Sequence, residues 1–451
     1  MPDFEPLYTA AEMRTAEERY PGTVEELMER AGAAVARVAL ELYSSAQQWT
    51  VVCGGGANGG DGRIAARALE RAGRQVRVVD ARAGETELGD PEVIVDALFG
   101  TGFAGEPRPD ATALIDRMNA SAAPVLSVDL PSGVDASTGE VAGAAIDADA
   151  TVTFHGRKVG AVVAPGRFHA GVVHVADIGL DEIDTDARLV GVGILRSVPR
   201  RGERDNKYTA GHVLVVGGSL GLTGAPSLTA MAALRADAGY VTLAAPESTL
   251  PAFEQRLLEV VKRPLPDHLA ALAEKASSLA IGPGLGRGEE VHRLVRRALV
   301  EVALPAVVDA DALYGLEPGR WPAPRVLTPH EGELGRLLDR DSKEIAAHRI
   351  ASVREAAERF GCVVLLKGAD TLVAAPGRGL LVSSLGLPSL ATAGTGDVLT
   401  GIVGAFLAKG MDPQLAAAAA AVAQQRASVE ATQRAGLVAS DLIDALPRVL
   451  R

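Results

Sequence analysis

The sequence predicts an α/β protein of two large domains, and three observations lead to that class. A chain of 451 residues is too long for one ordinary hydrophobic core. Its composition, 47% hydrophobic but only 4% aromatic with 50 glycines, suits layers of strands and helices joined by tight turns rather than an all-β or disordered chain. Short runs of Val, Ile and Leu end in glycine-rich turns and give way to helical patterns, as βαβ units require.

The same composition limits the function. A net charge of −12 argues against general affinity for nucleic acid or an anionic membrane, so a phosphate-bearing ligand has to be met by donors placed locally. Cys53 and Cys362 each adjoin a buried-strand pattern and lack metal-type spacing, which points to reduced core thiols in a cytoplasmic protein. Met1 to Glu5 lacks the basic and apolar regions of a signal peptide, and Leu415 to Ala423 is too short and too rich in alanine to span a bilayer. Neither export nor a membrane segment is expected.

The first elements are helical. Thr9 to Tyr20 is amphipathic, Pro21-Gly22 breaks it, and Thr23 with Glu26 forms a capping box for a helix carrying Leu27, Met28, Ala31, Val35, Val38 and Leu42 on one side. This pair covers either the sheet or a partner subunit, and a homo-oligomer is the expected state. Thr50 to Cys53 then reads as a strand, Gly54 to Gly62 as a loop, Ile64 to Glu70 as a helix and Gln75 to Asp80 as the next strand.

Gly54, Gly56 and Gly59 satisfy G-x-G-x-x-G, and Asp80 stands where a dinucleotide-binding domain places its ribose-binding acid. An NAD-dependent dehydrogenase is therefore a rival reading. Against it, the loop continues into Asn58 and Asp61, polar groups that a plain pyrophosphate turn does not need. Val93 to Gly102 and Val125 to Gly133 each place an acid, Asp96 and Asp129, near a strand end. Carboxyl ends of parallel strands share one edge, so Asn58, Asp61, Asp96, Asp129 and Ser132 can converge on one pocket, although each acid taken alone reads as a turn or cap residue. Oxygen donors without a Cys or His cluster suit a hard cation rather than zinc.

From about Leu180 to Asn206 no period is sustained, which reads as a linker and puts the domains at residues 1–200 and 205–451. Gly211 to Ser219 opens a new strand and turn, Thr223 to Pro226 opens a helix, and strand-like runs recur at Tyr240 to Leu243, Ser278 to Ile281, Ala306 to Asp309 and Arg325 to Thr328. Val363 to Leu366 reads as a buried strand running into Lys367 to Thr371, a turn that supplies a cation and a hydroxyl. Gly394, Gly396 and Asp397 then precede an apolar helical pattern of Val398, Leu399, Ile402, Val403, Phe406 and Leu407. Free N–H groups of such a helix end suit phosphate. Asp397 by itself reads as an N-cap; the Lys367 turn upstream is what argues for an anion site.

The elements Met13-Arg14 with Glu17, Glu26 to Gly32, Asn58 to Gly62, Asp96 to Gly102 and Asp129 to Gly133, followed by Lys158-Val159-Gly160 and Ala176 to Gly179, resemble the NAD(P)H-hydrate epimerase family over residues 9–180. The resemblance implies a Rossmann-like three-layer domain that interconverts the R and S forms of hydrated NADH and NADPH, NADHX and NADPHX. It implies K⁺ held in part by Asn58, Asp96 and Ser132. It also implies substrate contacts from Ala57, Asn58, Gly59, Gly60 and Asp61, from Gly100, Thr101, Gly102, Phe103, Ala104, Gly105 and Glu106, and from Asp129. Ala57 departs from the family, which usually has asparagine there. In the hydrate the hydroxyl sits on the ring carbon beside nitrogen, so it can leave to give an iminium and return on the other face. A carboxylate has to shuttle the proton and stabilise the cation, and Asp129 is the candidate.

Further on, Gly217-Gly218-Ser219 with Thr223 to Ala225, Gly282 to Gly286, Asp309 to Leu313, Thr328-Pro329-His330 with Gly332-Glu333, Lys367 to Thr371 and Gly394 to Asp397 resemble the NAD(P)H-hydrate dehydratase family over residues 205–448. This implies a ribokinase-like α/β domain in which Ala225, the Gly284 to Gly286 turn, His330 and Asp397 face the hydrated nucleotide. Lys367, Gly368, Ala369, Asp370 and Thr371 would hold an adenine nucleotide, with Gly394 and Gly396 at its phosphates. Phosphorylating the ring hydroxyl converts a poor leaving group into a good one, with Asp397 as general base and Mg²⁺ beside the transferring group. Fusion of the two domains resembles the bacterial form, which implies ADP as donor, although the motifs alone fit ADP and ATP equally. Two alternatives stand beside this reading: a kinase of a small alcohol fused to a dinucleotide-binding domain, and a catalytically silent nucleotide-binding protein. Retention of Asp397, Lys367, Asp96 and Asp129 speaks against the second. Glu331 departs from the family, which often has proline there.

Overall fold

The computed structural model describes residues 4–431, 433 and 435–451, and the chain divides into two compact units, one of Pro6–Ala187 and one of Arg188–Arg451 with Phe4 and Glu5. The division falls ahead of the boundary expected near residue 200, because residues 188–200 are structured. The Val190 N–H donates to the Val382 carbonyl at 2.7 Å, and Val190, Ile194, Leu195 and Val198 are buried in the core of the second unit. An extended stretch followed by a single 3-10 turn, Val192–Ser197, has too few residues to show a period, so it reads as linker.

In the first unit the sheet runs Gln75–Asp80, Gln48–Cys53, Val93–Ala97, Val125–Val128, Ala150–Phe154, Val172–Ala176, with every neighbouring pair parallel. Parallel strands covered on both faces have to be apolar throughout. Val51, Cys53 and Val95 face a core that includes Leu27, Ala31, Val35, Ala65 and Leu69, whereas Val52 and Ile94 face Leu114, Ile115 and Met118. Three layers result. The helix Val24–Leu42 starts at the Thr23 and Glu26 capping box as expected, and a second box at Thr9 and Glu12 starts Ala10–Glu18.

The stretch from Gly54 to Gly62 is not a loop throughout: a helix begins at Ala57, so Asn58, Gly59, Gly60 and Asp61 form its first turn. Each glycine costs a helix about 1 kcal/mol relative to alanine, which is what disguised the start. Close packing explains why small residues stand there, since a Cβ on Gly59 would lie 2.0 Å from the Gly54 carbonyl oxygen.

The second unit has a sheet whose parallel strands lie in the order Val261–Pro264, Tyr240–Ala245, His212–Val216, Ser278–Ile281, Ala306–Val308, Arg325–Leu327 and Val363–Leu366, continued antiparallel by Thr371–Ala374 and Leu380–Ser383. The turns at Gly217, Gly282, Asp309, His330 and Lys367 follow five of these parallel strands, which brings them to one edge. Helix Thr395–Ala408 is buried from Val398 to Ala408 and packs within the core that also takes up Gly224–Arg235, Pro413–Glu430 and Ala439–Val449. Its apolar sequence on every side reflects that position.

Both cysteines are free and buried, and burial pushes the Cys53 thiol up to about 11 and the Cys362 thiol up to about 12, in keeping with inert core thiols. Among the described residues no helix is long and apolar enough to cross a membrane.

Candidate active sites

In the first unit a cavity of about 690 Å³ opens at the carboxyl edge of the sheet, walled by Ala57, Asn58, Asp61, Gly100, Thr101, Gly102, Phe103, Asp129 and Lys158 among others. Met13, Leu27, Met28 and Phe99 add an apolar side, and Phe99 stacks on Phe103 with centroids 4.6 Å apart. Of the residues expected at substrate, Gly59 and Gly60 lie behind this wall in the helix turn, and Ala104, Gly105 and Glu106 lie on the exposed continuation of its rim.

Asp129 follows the strand Val125–Val128 with φ +65°, a left-handed conformation that aspartate tolerates better than most residues. The fold holds it there by its side chain. Oδ1 lies 2.6 Å from the Lys158 ammonium and accepts from the Thr153 hydroxyl at 3.3 Å; Oδ2 accepts from the Thr101 N–H at 3.1 Å and from the Thr101 hydroxyl. Lys158 is fully buried and also donates to Thr153 Oγ1 and the Phe154 carbonyl. Burial by itself would raise the Asp129 carboxyl, but the Lys158 charge and these hydrogen bonds outweigh it and hold it below the usual carboxylate range.

Asp61 behaves in the opposite way. Burial, then the charges of Asp129 and Glu17, push it up to about 8, and its buried Oδ1 has no hydrogen-bond partner among the described residues. Glu17, on the same cavity, is also raised, chiefly by burial and then by Asp129, against the opposing charges of Lys158 and Arg14. One cavity therefore carries an ionised carboxylate and a protonated one.

Asp96 and Ser132 do not reach the cavity wall. Fully buried, Asp96 accepts from the Ser132 hydroxyl at 2.6 Å, the Ser132 N–H at 2.9 Å, the Ser127 hydroxyl at 2.9 Å and the Leu98 N–H at 3.2 Å. The Asn58 amide donates to the Phe99 carbonyl at 2.7 Å, and the Ser132 hydroxyl lies 3.3 Å from that same oxygen. Asp80, the acid that suggested a ribose site, is occupied by Arg63 at 2.7 Å and by the Arg82 N–H at 2.9 Å.

In the second unit Gly394, at φ +89°, turns the chain into Thr395–Ala408 and leaves Asp397 in the first helical turn. Lys367 sits beside it: a Cβ on Gly396 would lie 3.4 Å from Lys367 Nζ. That ammonium is 2.9 Å from Asp309 Oδ1 and 3.7 Å from Glu333 Oε2, while Thr400 donates to Asp309 Oδ2 at 2.7 Å. Burial and the Asp309 charge push Asp397 up to about 7 against the pull of Lys367. Burial would lower Lys367, but Asp309 and Glu333 hold it above its ordinary value.

Neighbouring turns are tied to this centre. The Thr229 hydroxyl, one helical turn after Ala225, lies 3.1 and 3.0 Å from the Ala225 and Asp397 carbonyl oxygens, either of which can accept its proton. Asp311 accepts from the Gly286 N–H at 2.9 Å, and Ser219 donates to the Gly284 carbonyl at 2.9 Å. His330 has an exposed ring that caps the next helix, its Nδ1 accepting from the N–H groups of Gly332 and Glu333 at 3.0 and 3.3 Å. Gly368 and Ala369 are exposed, whereas Asp370 and Thr371 are buried.

Comparison with known proteins assigns both halves. Residues 213–448 match the family described as NAD(P)H-hydrate dehydratase, and residues 24–88 and 80–160 match the one described as YjeF-related protein N-terminus. A bifunctional NAD(P)H-hydrate repair enzyme from Pyrobaculum aerophilum is 40% identical over 94% of this chain and 93% of its own length. The chain belongs to the bifunctional NAD(P)H-hydrate repair enzyme family. The relative of that name from Escherichia coli is 35% identical over 95% of this chain and 90% of its own. The ADP/ATP-dependent NAD(P)H-hydrate dehydratase of Bacillus subtilis, crystallised with ATP and Mg²⁺, superposes with a TM-score of 0.54 at 30% identity, covering 57% of this chain and 95% of that one.

Each site has a lysine paired with one of its carboxylates, the fully buried Lys158 with Asp129 at 2.6 Å and Lys367 with Asp309 at 2.9 Å. Lys158 was visible in the sequence only as part of Lys158-Val159-Gly160, with nothing to pair it with Asp129. Glu333 and Thr400 were likewise legible as motif and helix residues but not as partners of Lys367 and Asp309.

Proposed function

We propose that the first unit interconverts the R and S forms of NADHX and NADPHX and that the second dehydrates the S form back to NADH or NADPH with ADP as phosphoryl donor, releasing AMP and phosphate. The observation that carries this reading is that one cavity brings together Asp129, paired at 2.6 Å with the buried Lys158, and Asp61, whose carboxyl burial pushes up to about 8.

In the epimerase step Asp61 gives its proton to the ring hydroxyl, the C–O bond breaks and water departs. The ring nitrogen supplies the electron pair for the iminium, which the Asp129 carboxylate stabilises. Water then adds to the opposite face and returns a proton to Asp61. Proton transfer thus falls to Asp61 and charge stabilisation to Asp129, because a carboxyl held below its usual range is a poor proton carrier at neutral pH. Asn58, Asp96 and Ser132 would hold K⁺ through the Asn58 amide oxygen, the Asp96 carboxylate and the Ser132 hydroxyl, which the hydrogen bonds to the Phe99 carbonyl and to Asp96 bring to one place; oxygen donors of this kind suit such an ion. Bound there, K⁺ would supply positive charge that steadies the Phe99 to Gly102 loop.

In the dehydratase step Asp397 takes the proton of the ring hydroxyl as its oxygen bonds to the terminal phosphorus of ADP and AMP leaves. The phosphate then departs with a proton from the adjacent ring carbon, which restores the double bond. Gly394 to Asp397 would offer backbone N–H groups to the transferring group, and Lys367 would meet phosphate charge. No group of three Asp, Glu, His or Cys able to cage a metal occurs among the described residues. Mg²⁺ is usually held by one or two carboxylates together with substrate phosphates, and Asp309 and Glu333, which flank Lys367, would serve here. Bound with ADP, it would neutralise phosphate charge.

The test is to incubate both epimers of hydrated NADH with the protein, Mg²⁺ and either ADP or ATP, each freed of the other, and follow the return of NADH absorbance. Full recovery of both epimers is expected with ADP. Recovery of neither epimer refutes the reading, and recovery of the S form alone refutes its epimerase half.

A further inference from the structure

Arg349 is a buried cation that the reaction does not use. It opens the helix Arg349–Phe360, where its charge opposes the helix dipole, and its side chain is only 2% exposed. Its Nη1 meets the Glu331 carboxylate; its Nη2 donates to the Asp370 carbonyl at 2.9 Å and lies 3.4 Å from Asp370 Oδ2. The guanidinium also packs against the backbone of the Lys367 to Thr371 turn so closely that a Cβ on Gly368 would lie 2.6 Å from Nη2.

The two ends of this arrangement belong to different ligands. Glu331 is the first residue of the helix capped by His330, and the same short helix carries Glu333, the partner of Lys367. Asp370 and Gly368 form the turn proposed to hold the nucleotide. A buried ion pair contributes little net stability against a hydrophobic alternative, and its best-attested use is to specify one arrangement of the groups it joins. Arginine suits that use because its planar fork can hold two partners in fixed directions, which an ammonium cannot.

We propose that Arg349 is a positioning residue that couples the nucleotide turn to the His330 turn, so that a bound nucleoside diphosphate and a bound dinucleotide each raise the affinity for the other. This rests on the proposed dehydratase reading of the same unit. Because coupling is reciprocal, it can be read from the nucleotide alone.

The experiment is titration calorimetry of Mg²⁺-ADP into the full chain, with and without saturating NADH as an unreactive dinucleotide, for the natural sequence, Arg349→Lys and Glu331→Gln. In the natural protein NADH should tighten ADP binding by about 5- to 20-fold. In Arg349→Lys that factor should fall to about one, while ADP alone binds within about threefold of its former affinity and the melting temperature holds. Should Arg349→Lys fail to fold, Glu331→Gln, at the partly exposed end of the arrangement, should lower the factor in the same direction. Unchanged coupling in both variants overturns the proposal, as does binding of both ligands to the natural protein without coupling. Loss of ADP binding in Arg349→Lys without NADH present also overturns it, since Arg349 would then serve the nucleotide turn alone. If the natural protein binds neither ligand, the dehydratase reading itself falls.

Discussion

The state of Asp397 sets a quantitative expectation for the pH dependence of dehydration. A general base acts as the carboxylate, so a carboxyl pushed up to about 7 should lose activity as pH falls through that value. From simple titration about a tenth of Asp397 is ionised at pH 6, about half at pH 7 and about nine tenths at pH 8, so the rate should rise about tenfold over that range. The neighbours give the sign of two further shifts. Asp309 raises the Asp397 carboxyl and Lys367 lowers it, so Asp309→Asn should move the midpoint to lower pH and Lys367→Met to higher pH. The assay is kcat/KM for recovery of NADH from its hydrate, which reports the groups of the free protein, after subtraction of spontaneous reaction. Asp397→Asn serves as the control and should slow the step by about 10²- to 10⁴-fold, as removal of a general base does. A rate flat from pH 6 to pH 8, or an Asp397→Asn protein that turns over at nearly the natural rate, would show that Asp397 is only a helix-end acid and would refute the mechanism.

Lys158→Met should leave Asp129 buried without its cation and destabilise the first unit by about 3–5 kcal/mol, read from denaturant melts, whereas the double replacement Lys158→Met with Asp129→Asn, which removes the charge but keeps a residue that tolerates the left-handed backbone, should recover part of that loss. Equal stability of natural protein and single variant would contradict the pairing. Asp96→Ala should weaken the dependence of epimerisation on K⁺, and identical rates for variant and natural protein with and without K⁺ would remove the proposed cation site. Cutting the chain after Ala187 should give a second fragment more stable than one beginning after Arg200, because the latter lacks Val190, Ile194, Leu195 and Val198 from its core. Each such side chain contributes roughly 1.5–3 kcal/mol when fully buried. Indistinguishable melting of the two fragments would place the division later.

What could be read from the sequence was whatever repeats locally. Strands such as Val93–Ala97 and Ser278–Ile281, buried on both faces, show as unbroken apolar runs, and the glycine turns that follow them mark the sheet edge. The acids of both centres stand beside glycine turns, Asp96 near the end of its strand, Asp129 just after one and Asp397 in the helix turn behind Gly394, so all three were identifiable. Lys367 was too, as the cation of its turn, but its pairing with Asp309 was not, because the two lie 58 residues apart and no periodicity reports a partner at that distance. The first turn of Ala57–Arg71 failed for another reason. Propensity argues against glycine in a helix, and the close approach to Gly54 that requires glycine there exists only once the strand and helix are packed.

Positions 57 and 331, where the family resemblance implies asparagine and proline, have different physical weight. Ala57 begins a helix and lies exposed on the cavity wall, so the backbone there can serve a ligand whatever the side chain, and only an amide contact is given up. Glu331 stands at the first position of its helix, where proline is favoured for its fixed φ and a carboxylate is favoured by the helix dipole. Either residue satisfies the local requirement, so the helix Glu331–Leu338 does not explain the choice. The difference lies at Arg349, which proline would leave without its carboxylate partner at that end while Asp370 remained at the other. A Glu331→Pro chain should therefore keep the helix start and lose the tie between the two turns, so that NADH no longer tightens ADP binding while the melting temperature of the second unit holds.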